Sequence, residues 1–548
     1  MCQPLHLGQL TGHLWNIPTG LTSCANSIGN DAVLHFPWPL STFQRSQLIT
    51  APMPRSAFLF LVLFSVHYPS LSTADEDVSV PIIRHIHIEG NNRTRPETIQ
   101  RELLFAVGDT LDHQQLTESE RLLRRLFFLG EVSIKTTAIG NSVAVLVAVQ
   151  DLYSRALSPL FSGEPGELSY GLIGLDYNFM GRGQTTRLTL EHQAVTGNQI
   201  SILYQIPRLA DSSRNLSASA TIGSEGHDAR IALTRPFRSL SAPWSYGLSL
   251  ATQKSVQRLY STQELVERYT DNLSGLSAWA THSRGEQTKW RPGVRLNISD
   301  RRFTATREFT YAPEDRRRIL PSIGLTIWRP RYEKTHFYQT LGQTEDVQIG
   351  SWTTARVGLS HKSLGSDRSF AFYSAQLSPR LKPYAHGYVF LTFFISARQS
   401  STNLENIYTL LQFQGHARWR LVHSLSLRLR WDAIHRFEDA SQLLLGLNSG
   451  LRGYPPRRFD GTRRFLFNLE ARPTFKRHPS YVLAGVFFVD GGTTWTPPLT
   501  SPNLKMSAGL GGRLGLPRIY NTPVMRADLA YAFADNSLQF SFGIGHFF

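Results

Sequence analysis

The sequence predicts a mainly β protein: a transmembrane antiparallel β-barrel of about 16 strands, preceded by a small α+β domain. Three observations carry that expectation. From about Leu157 onward helical periodicity gives way to segments that alternate apolar with polar residues, such as Thr186 to Glu191, Ile200 to Tyr204 and Leu425 to Trp431, each bounded by Gly, Pro, Asn, Asp or Ser. No run of about eighteen apolar residues is present to make a helical span, whereas barrel strands alternate and leave hydropathy near that of soluble proteins. At the chain's end Leu538, Phe540, Phe542, Ile544, His546 and Phe548 share one parity, and Gln539, Ser541, Gly543 and Gly545 the other. That is a strand with an apolar outer face and a small or polar inner one, closing on an aromatic residue.

The strand number is an estimate from length. Residues 153–548, at about 25 per strand plus connection in barrels with long outer loops, leave room for roughly sixteen strands. A nine- to eleven-residue tilted strand is what a bilayer asks for, so residues flanking each alternating segment complete the span. A β-propeller finds no support, because no blade-length repeat is visible.

Ahead of the barrel, Ala57 to Val66 (AFLFLVLFSV) follows Arg55 and precedes Ser72-Thr73-Ala74 and the acidic Asp75-Glu76-Asp77. A basic flank, a short apolar core and a small residue at the cleavage position outline a secretory signal peptide over 53–74. With Met53 as its start, residues 1–52 read as an upstream extension; the other reading of 1–52 is a genuine leader of transit-peptide type. Both cysteines, Cys2 and Cys24, fall in this segment, so the exported chain has no disulfide framework and no cysteine metal site.

Charge divides the rest. Residues 75–152 carry 8 Lys+Arg against 12 Asp+Glu, whereas residues 153–548 hold 47 of the 57 basic and 28 of the 41 acidic residues. No recognition motif accompanies the excess, so a basic pore lining and basic loops facing anionic lipid are expected, with no nucleic-acid partner.

Residues 75–152 read as one compact domain. Ile86 and Ile88 alternate with His85 and His87 in a strand that ends at Glu89-Gly90-Asn91-Asn92. Thr94 and Pro96 start a helix with Ile99, Leu103 and Leu104 on its apolar face, and a second helix over Asp112 to Leu126 carries Leu116, Leu122, Leu123 and Leu126. Strands over Val132 to Thr136 and Val143 to Val149 complete a β-α-α-β-β order, the latter with four valines on one face. A separate domain packed loosely on the barrel mouth is expected, because nothing amphipathic lies between Asp151 and Leu160 to brace it.

That order, with IHIEGNNRT near its start and FFLGEVSI after its second helix, resembles a POTRA domain. Three barrel segments are in turn similar to the BamA/TamA superfamily of outer-membrane proteins. Leu451-Arg452-Gly453-Tyr454 resembles the motif at the tip of the family's sixth outer loop, which folds back into the lumen; Gly453 permits a tight backbone course and Arg452 supplies a forked cation. Phe488-Val489-Asp490-Gly491-Gly492 resembles the family's FxDxG strand, and alternation puts Phe488, Asp490 and Gly492 on one face. Asn468-Leu469-Glu470-Ala471-Arg472 resembles the polar-in strand after the loop. Each string is short; order and spacing, ending on the assembly-signal-like Phe540, Phe542, Ile544 and Phe548, add weight. Leu175 to Gly183 resembles the family's first barrel hairpin, with Gly181 to Gly183 as its turn.

The resemblance implies an outer-membrane protein of bacterial surface antigen type, its POTRA domain in the periplasm. It implies a role in inserting outer-membrane proteins or translocating polypeptides, at a weakly zipped seam between the first and last strands. The partners implied are outer-membrane lipids, unfolded outer-membrane or exported polypeptides and periplasmic accessory proteins. The alternative is a two-partner-type secretion pore or passive channel, with Arg452 and its loop gating the lumen. Arg452 is expected in the lumen, paired with Asp490 and with Glu470 as the nearest substitute. Enzyme chemistry finds no foothold: GxSxG, HExxH and GxxxxGK[ST] are absent, and Gly509 to Gly515 meets Pro517 where a dinucleotide fold would open a helix. No cofactor and no metal are expected, the histidines lacking ligand spacing.

Overall fold

The computed structural model describes residues 81–548 except 402, 420–422, 499–502 and 518–523. The expected extension (1–52) and signal peptide (53–74), with both cysteines, lie outside the described residues.

The N-terminal domain follows the predicted order: β1 (Ile82–Glu89), α1 (Pro96–Gln100), α2 (His113–Arg124), β2 (Leu129–Ile139) and β3 (Ser142–Asp151). The sheet order is β1-β3-β2, with β1 parallel and β2 antiparallel to β3. Val143, Val145, Val147 and Val149 point to one side, as period two demands, and pack on Ile99, Leu116, Leu123 and Phe128 from the helical layer. Pro96 occupies the first turn of α1, and the Asp112 carboxylate caps α2 by accepting from the Gln114 N–H at 2.7 Å. Gly90 has φ +84, and a Cβ there would sit 1.8 Å from the Val149 carbonyl oxygen, so no other residue fits that turn.

The barrel begins at Arg155–Glu164 and closes through twenty antiparallel staves. Two staves are interrupted, between Phe370–Ser378 and Arg380–Tyr384 and between Arg463–Arg472 and Thr474–His478. Pro379 and Pro473 stand at the breaks, where a residue without an N–H cannot continue the ladder. Twenty rather than about sixteen staves is a correction, and its cause lies in the turns. Thr262-Gln263 joins two strands of 18 and 19 residues with both φ positive, and Ser224-Glu225 and Pro165-Gly166 are equally tight. The long outer loops assumed in the estimate are mostly absent.

Side chains follow the inside-out pattern of a membrane barrel. Leu188, Leu190, Ile200, Ile202, Leu248, Leu250, Val294 and Ile323 are exposed to the outer wall, whereas Thr189, Glu191, Gln199, Ser201, Gln253 and Ser255 are buried in the lumen. Arg258, Arg291, Arg301, Arg316, Arg318, Arg464 and Arg513 are buried inward too, so part of the basic excess lines the pore.

The last strand, Ser537–Ile544, has Phe540 45% and Leu538 68% exposed while Gln539 and Ser541 are buried, which is the predicted register. The row stops at Ile544. Phe548, expected among the outward aromatics, and His546 leave it, because Gly545 (φ 88) turns the chain and donates to the Val524 carbonyl at 2.7 Å. Guanidinium groups in the lumen receive the end: Phe547 lies 4.0 Å from that of Arg452 and Phe548 5.0 Å from that of Arg428, and Arg472 donates to the Phe548 carbonyl at 3.1 Å.

The N-terminal domain keeps its own sheet, but its docking is not loose. The barrel turn Met180 to Gly183 enters it, with the Gly181 carbonyl accepting from the Arg95 N–H (3.1 Å) and the Thr98 hydroxyl (2.9 Å). Phe127 meets Tyr177 edge to face at 5.1 Å. The buried Glu102 carboxylate accepts from Arg208 at 2.9 Å and Arg238 at 3.1 Å, both on barrel turns. Burial pushes the Arg238 guanidinium down to about 10 despite Glu102. Bracing comes from barrel turns rather than from the linker, which is why it was invisible locally. Glu102→Ala leaves these arginines without their carboxylate, and limited proteolysis should then cut the 152–155 connection several-fold faster while the barrel stays folded; unchanged cleavage would contradict the docking role.

Candidate functional site: the lumen loop

The site grows from one long connection, residues 436–462, between the strands His423–His435 and Arg463–Arg472. Its two arms, Leu443–Leu445 and Phe459–Gly461, pair as a short ribbon inside the barrel. Leu445, Leu451 and Tyr454 are fully buried against Leu466 and Ala532, so apolar burial draws the tip inward. Gly453 (φ +87) passes so close to the wall that a Cβ would lie 3.0 Å from the Ser507 Cβ, and its N–H donates to Gln539 at 2.8 Å. The Tyr454 hydroxyl donates to the Met506 carbonyl at 2.9 Å.

Arg452 is fully buried in the lumen. Its Nε and Nη2 reach the two oxygens of Asp490 at 2.7 and 3.0 Å, a bidentate fork, and its Nη1 reaches Glu470 at 2.7 Å. The guanidinium also stacks over Phe488 at 3.4 Å. Burial works against the charge, but Asp490 and Glu470 outweigh it and hold the group firmly protonated. Both carboxylates expected for this arginine are therefore used together, Asp490 first.

The remaining predicted residues frame this pair. Asn468 donates to the Gly450 carbonyl (2.8 Å) and to Asp490 (2.7 Å), tying the loop to the strand beneath it. Arg472 donates to Glu470 at 2.8 Å. A Cβ on Gly492 would lie 2.9 Å from Leu445, so the small residue admits the ribbon. Phe540 and Ile544 stand outside, on the lipid side. Sequence reasoning missed Asp528, which pairs with Arg513 at 2.6 Å and stands 3.5 Å from Arg452, and also Arg428, which donates to Asn468 at 2.6 Å. The signal was present: in MRADLAYA the charges of Arg526 and Asp528 alternate with Ala527, Leu529 and Tyr531.

Upstream in the same loop Glu438 accepts from Arg318 (2.6 Å), Arg398 (3.1 Å) and Arg368, and Asp439 pairs with Arg316. Burial opposes the Glu438 charge, but Arg318 and Arg398 prevail and hold it near about 2; for Asp439 burial prevails over Arg316 and raises it to about 6.

A lumen loop anchored on a twenty-stave barrel, with an α+β domain docked at one mouth, defines the class: an outer-membrane β-barrel with a periplasmic N-terminal domain. The POTRA family model, surface antigen variable number repeat, matches residues 81–151. The outer membrane protein assembly factor BamA of Neorickettsia risticii (strain Illinois) is 28% identical over 184 residues, 33% of this chain and 24% of that protein, so the chain matches about a quarter of that relative's length. Among solved structures, BamA from Haemophilus ducreyi lacking POTRA domains 1–3 aligns at 13% identity and TM-score 0.39, over 85% of this chain and 84% of that one. CdiB from Escherichia coli aligns at 10% identity and TM-score 0.45, over 85% and 77%. Residues 81–151 thus match the POTRA model, and a third of the chain is similar to an outer membrane protein assembly factor.

Two expectations follow. Removing one partner from a buried ion network costs about 3–5 kcal/mol. Arg452→Ala should therefore undock the loop, raising protease sensitivity within 436–462 more than tenfold by that magnitude, while ladder hydrogen bonds keep the barrel heat-modifiable on gels. A variant loop as resistant as the parent's would be inconsistent with the network. For pH, the docked Asp439 binds its proton more tightly than a free aspartate, so docking gains as pH falls through about 6, whereas the depressed Glu438 makes docking weaken below the ordinary glutamate range near 4. Hydrogen exchange over 436–462, corrected for intrinsic rates, should be slower at about pH 5.5 than at about pH 7.5, and Asp439→Asn should erase the difference.

Proposed function

We propose that the protein receives unfolded outer-membrane or exported polypeptides on its POTRA domain (residues 75–152) and assists their insertion or assembly at the seam of its barrel (residues 153–548). The observation that carries this reading is the seam. Interior staves share ladders of many residue pairs, whereas the first and last strands meet at one, Phe542 with Gly163, supported by Gln539 and the Glu164 carboxylate. The last two strands have 8 residues each, against 18 and 19 in Trp244–Ser261 and Glu264–His282. Peptide groups without ladder partners near lipid are poised to pair with an incoming strand, and no nucleotide is needed. The α+β domain, with β2 at a sheet edge, suits a receiver of extended chains. A two-partner-type secretion role shares this architecture; a passive channel fits poorly with a lumen occupied by the 436–462 loop.

Cysteines flanking the seam pair, Ser162→Cys with Gly543→Cys in a Cys2→Ser, Cys24→Ser background, should halt client assembly when oxidised and release it on reduction. Activity indifferent to the lock would refute seam opening. Depletion should leave many unfolded barrel proteins in the periplasm; loss of one exported substrate instead would favour the secretion reading.

A further inference from the structure

The connection from Arg329 to Ser351 differs from the short periplasmic turns such as Met180 to Gly183: it folds into a hairpin of its own, Tyr332–His336 antiparallel to Thr344–Gln348. The hairpin lies across the barrel mouth. In its second strand Val347 packs on Tyr388 and Phe390; where the first strand enters the turn, Arg418 donates to the His336 carbonyl at 2.6 Å and the Tyr338 ring meets that of His416 at 5.0 Å. At its tip Phe337 and Leu341 are buried with Val482, Ala484 and Val524, and Gln343 donates to the Pro517 carbonyl at 2.8 Å. The hairpin thus rests on the strands Gly387–Gln399 and Leu404–Trp419, and its turn reaches on to the strand Tyr481–Trp495 on another part of the wall. Glu345 holds the tip in shape, accepting from the N–H groups of Gln339 (2.9 Å) and Thr340 (3.1 Å) and from the Thr340 hydroxyl (2.9 Å).

The opposite face of the hairpin meets the POTRA domain. Lys334 pairs with Glu120 at 2.9 Å, Asp346 with Arg124 at 3.1 Å, Tyr332 lies 4.7 Å beneath the Arg121 guanidinium, and the Thr344 hydroxyl donates to Glu131 at 3.1 Å. Lys334 is half exposed, so its pair is weak and screened by salt. Contacts to the wall combine buried apolar side chains with a few hydrogen bonds, whereas contacts to the POTRA domain are made by charged and polar groups.

We propose that the hairpin is a plug closing the periplasmic mouth of the lumen, clamped from below by the POTRA domain, so that a polypeptide enters the lumen only after that domain swings away. This rests on the periplasmic placement of the domain and not on assembly activity, and its test reads lumen access alone. Ser374 shares the parity of the buried Phe370 and Ser378 and faces the lumen. In the Cys2→Ser, Cys24→Ser chain, Ser374→Cys in proteoliposomes with the POTRA domain outward would be labelled with a small maleimide and with a bulky polymer-linked one. Uniform small-maleimide labelling and heat-modifiable mobility report a folded barrel.

The bulky reagent should label the parent slowly. Phe337→Ser with Leu341→Ser, which unseats the tip, should speed it, and so should Glu120→Lys with Arg124→Glu, which preserves the Glu120–Arg124 pair within α2 but opposes Lys334 and Asp346 with like charge. The expected gain for the charge reversal is roughly tenfold, the shift in an open–closed equilibrium from losing two weak pairs. Equal rates in parent and tip variant overturn the plug; a faster tip variant beside an unchanged charge-reversed one overturns the clamp. If the tip variant does not fold, the surface-charge variant decides alone.

Discussion

Hydrocarbon offers a peptide group no hydrogen bond, so every strand in this protein needs a neighbour on both sides and the twentieth must return to the first. Most of the architecture answers that constraint. Tight outer turns keep neighbouring strands adjacent, the proline breaks lie near strand ends, and the apolar side chains face outward because the ladder leaves them nowhere else to go. The seam is the exception: the chain turns inward at Gly545 before the last strand can complete a ladder with Arg155–Glu164. A weak closure is what the proposed sideways opening requires.

Closing so many strands creates a wide interior, and the interior is filled with charge rather than with apolar layers. Arginines from many strands converge there, and each needs a carboxylate or an aromatic face. Arg452 obtains both, from Asp490, Glu470 and Phe488. Such buried ions contribute little net stability against an apolar alternative, but they specify one position for the loop, since Asp490 has oxygens for one forked partner in that geometry. The same logic explains why Phe547 and Phe548 turn inward instead of ending in lipid: cationic faces and a donor to the terminal carbonyl await them. The outer loop fills the lumen at its charged network, and the 332–348 hairpin, on the POTRA side, joins that domain to the barrel wall.

Local pattern determined a good deal of this protein. Period two assigned the faces of Gln539, Phe540 and Ser541 and of Phe488, Asp490 and Gly492, because a strand has only two faces and one polar residue chooses between them. Helical spacing marked α2, and the alternating valines marked β3. Motif order brought Arg452, Asp490 and Glu470 together before any coordinates did. Tertiary structure alone decided the rest. Strand count depended on turn lengths that carry no periodic signal; domain docking depended on Glu102, Arg208 and Arg238, which are far apart in sequence; and Asp528 entered the network only when barrel closure brought its strand beside the loop. Phe548 shows the limit most clearly: parity placed it outside with Phe540, but parity holds only while the ladder continues, and the ladder ended at Gly545 because the lumen's cations offered the chain end better partners than lipid did.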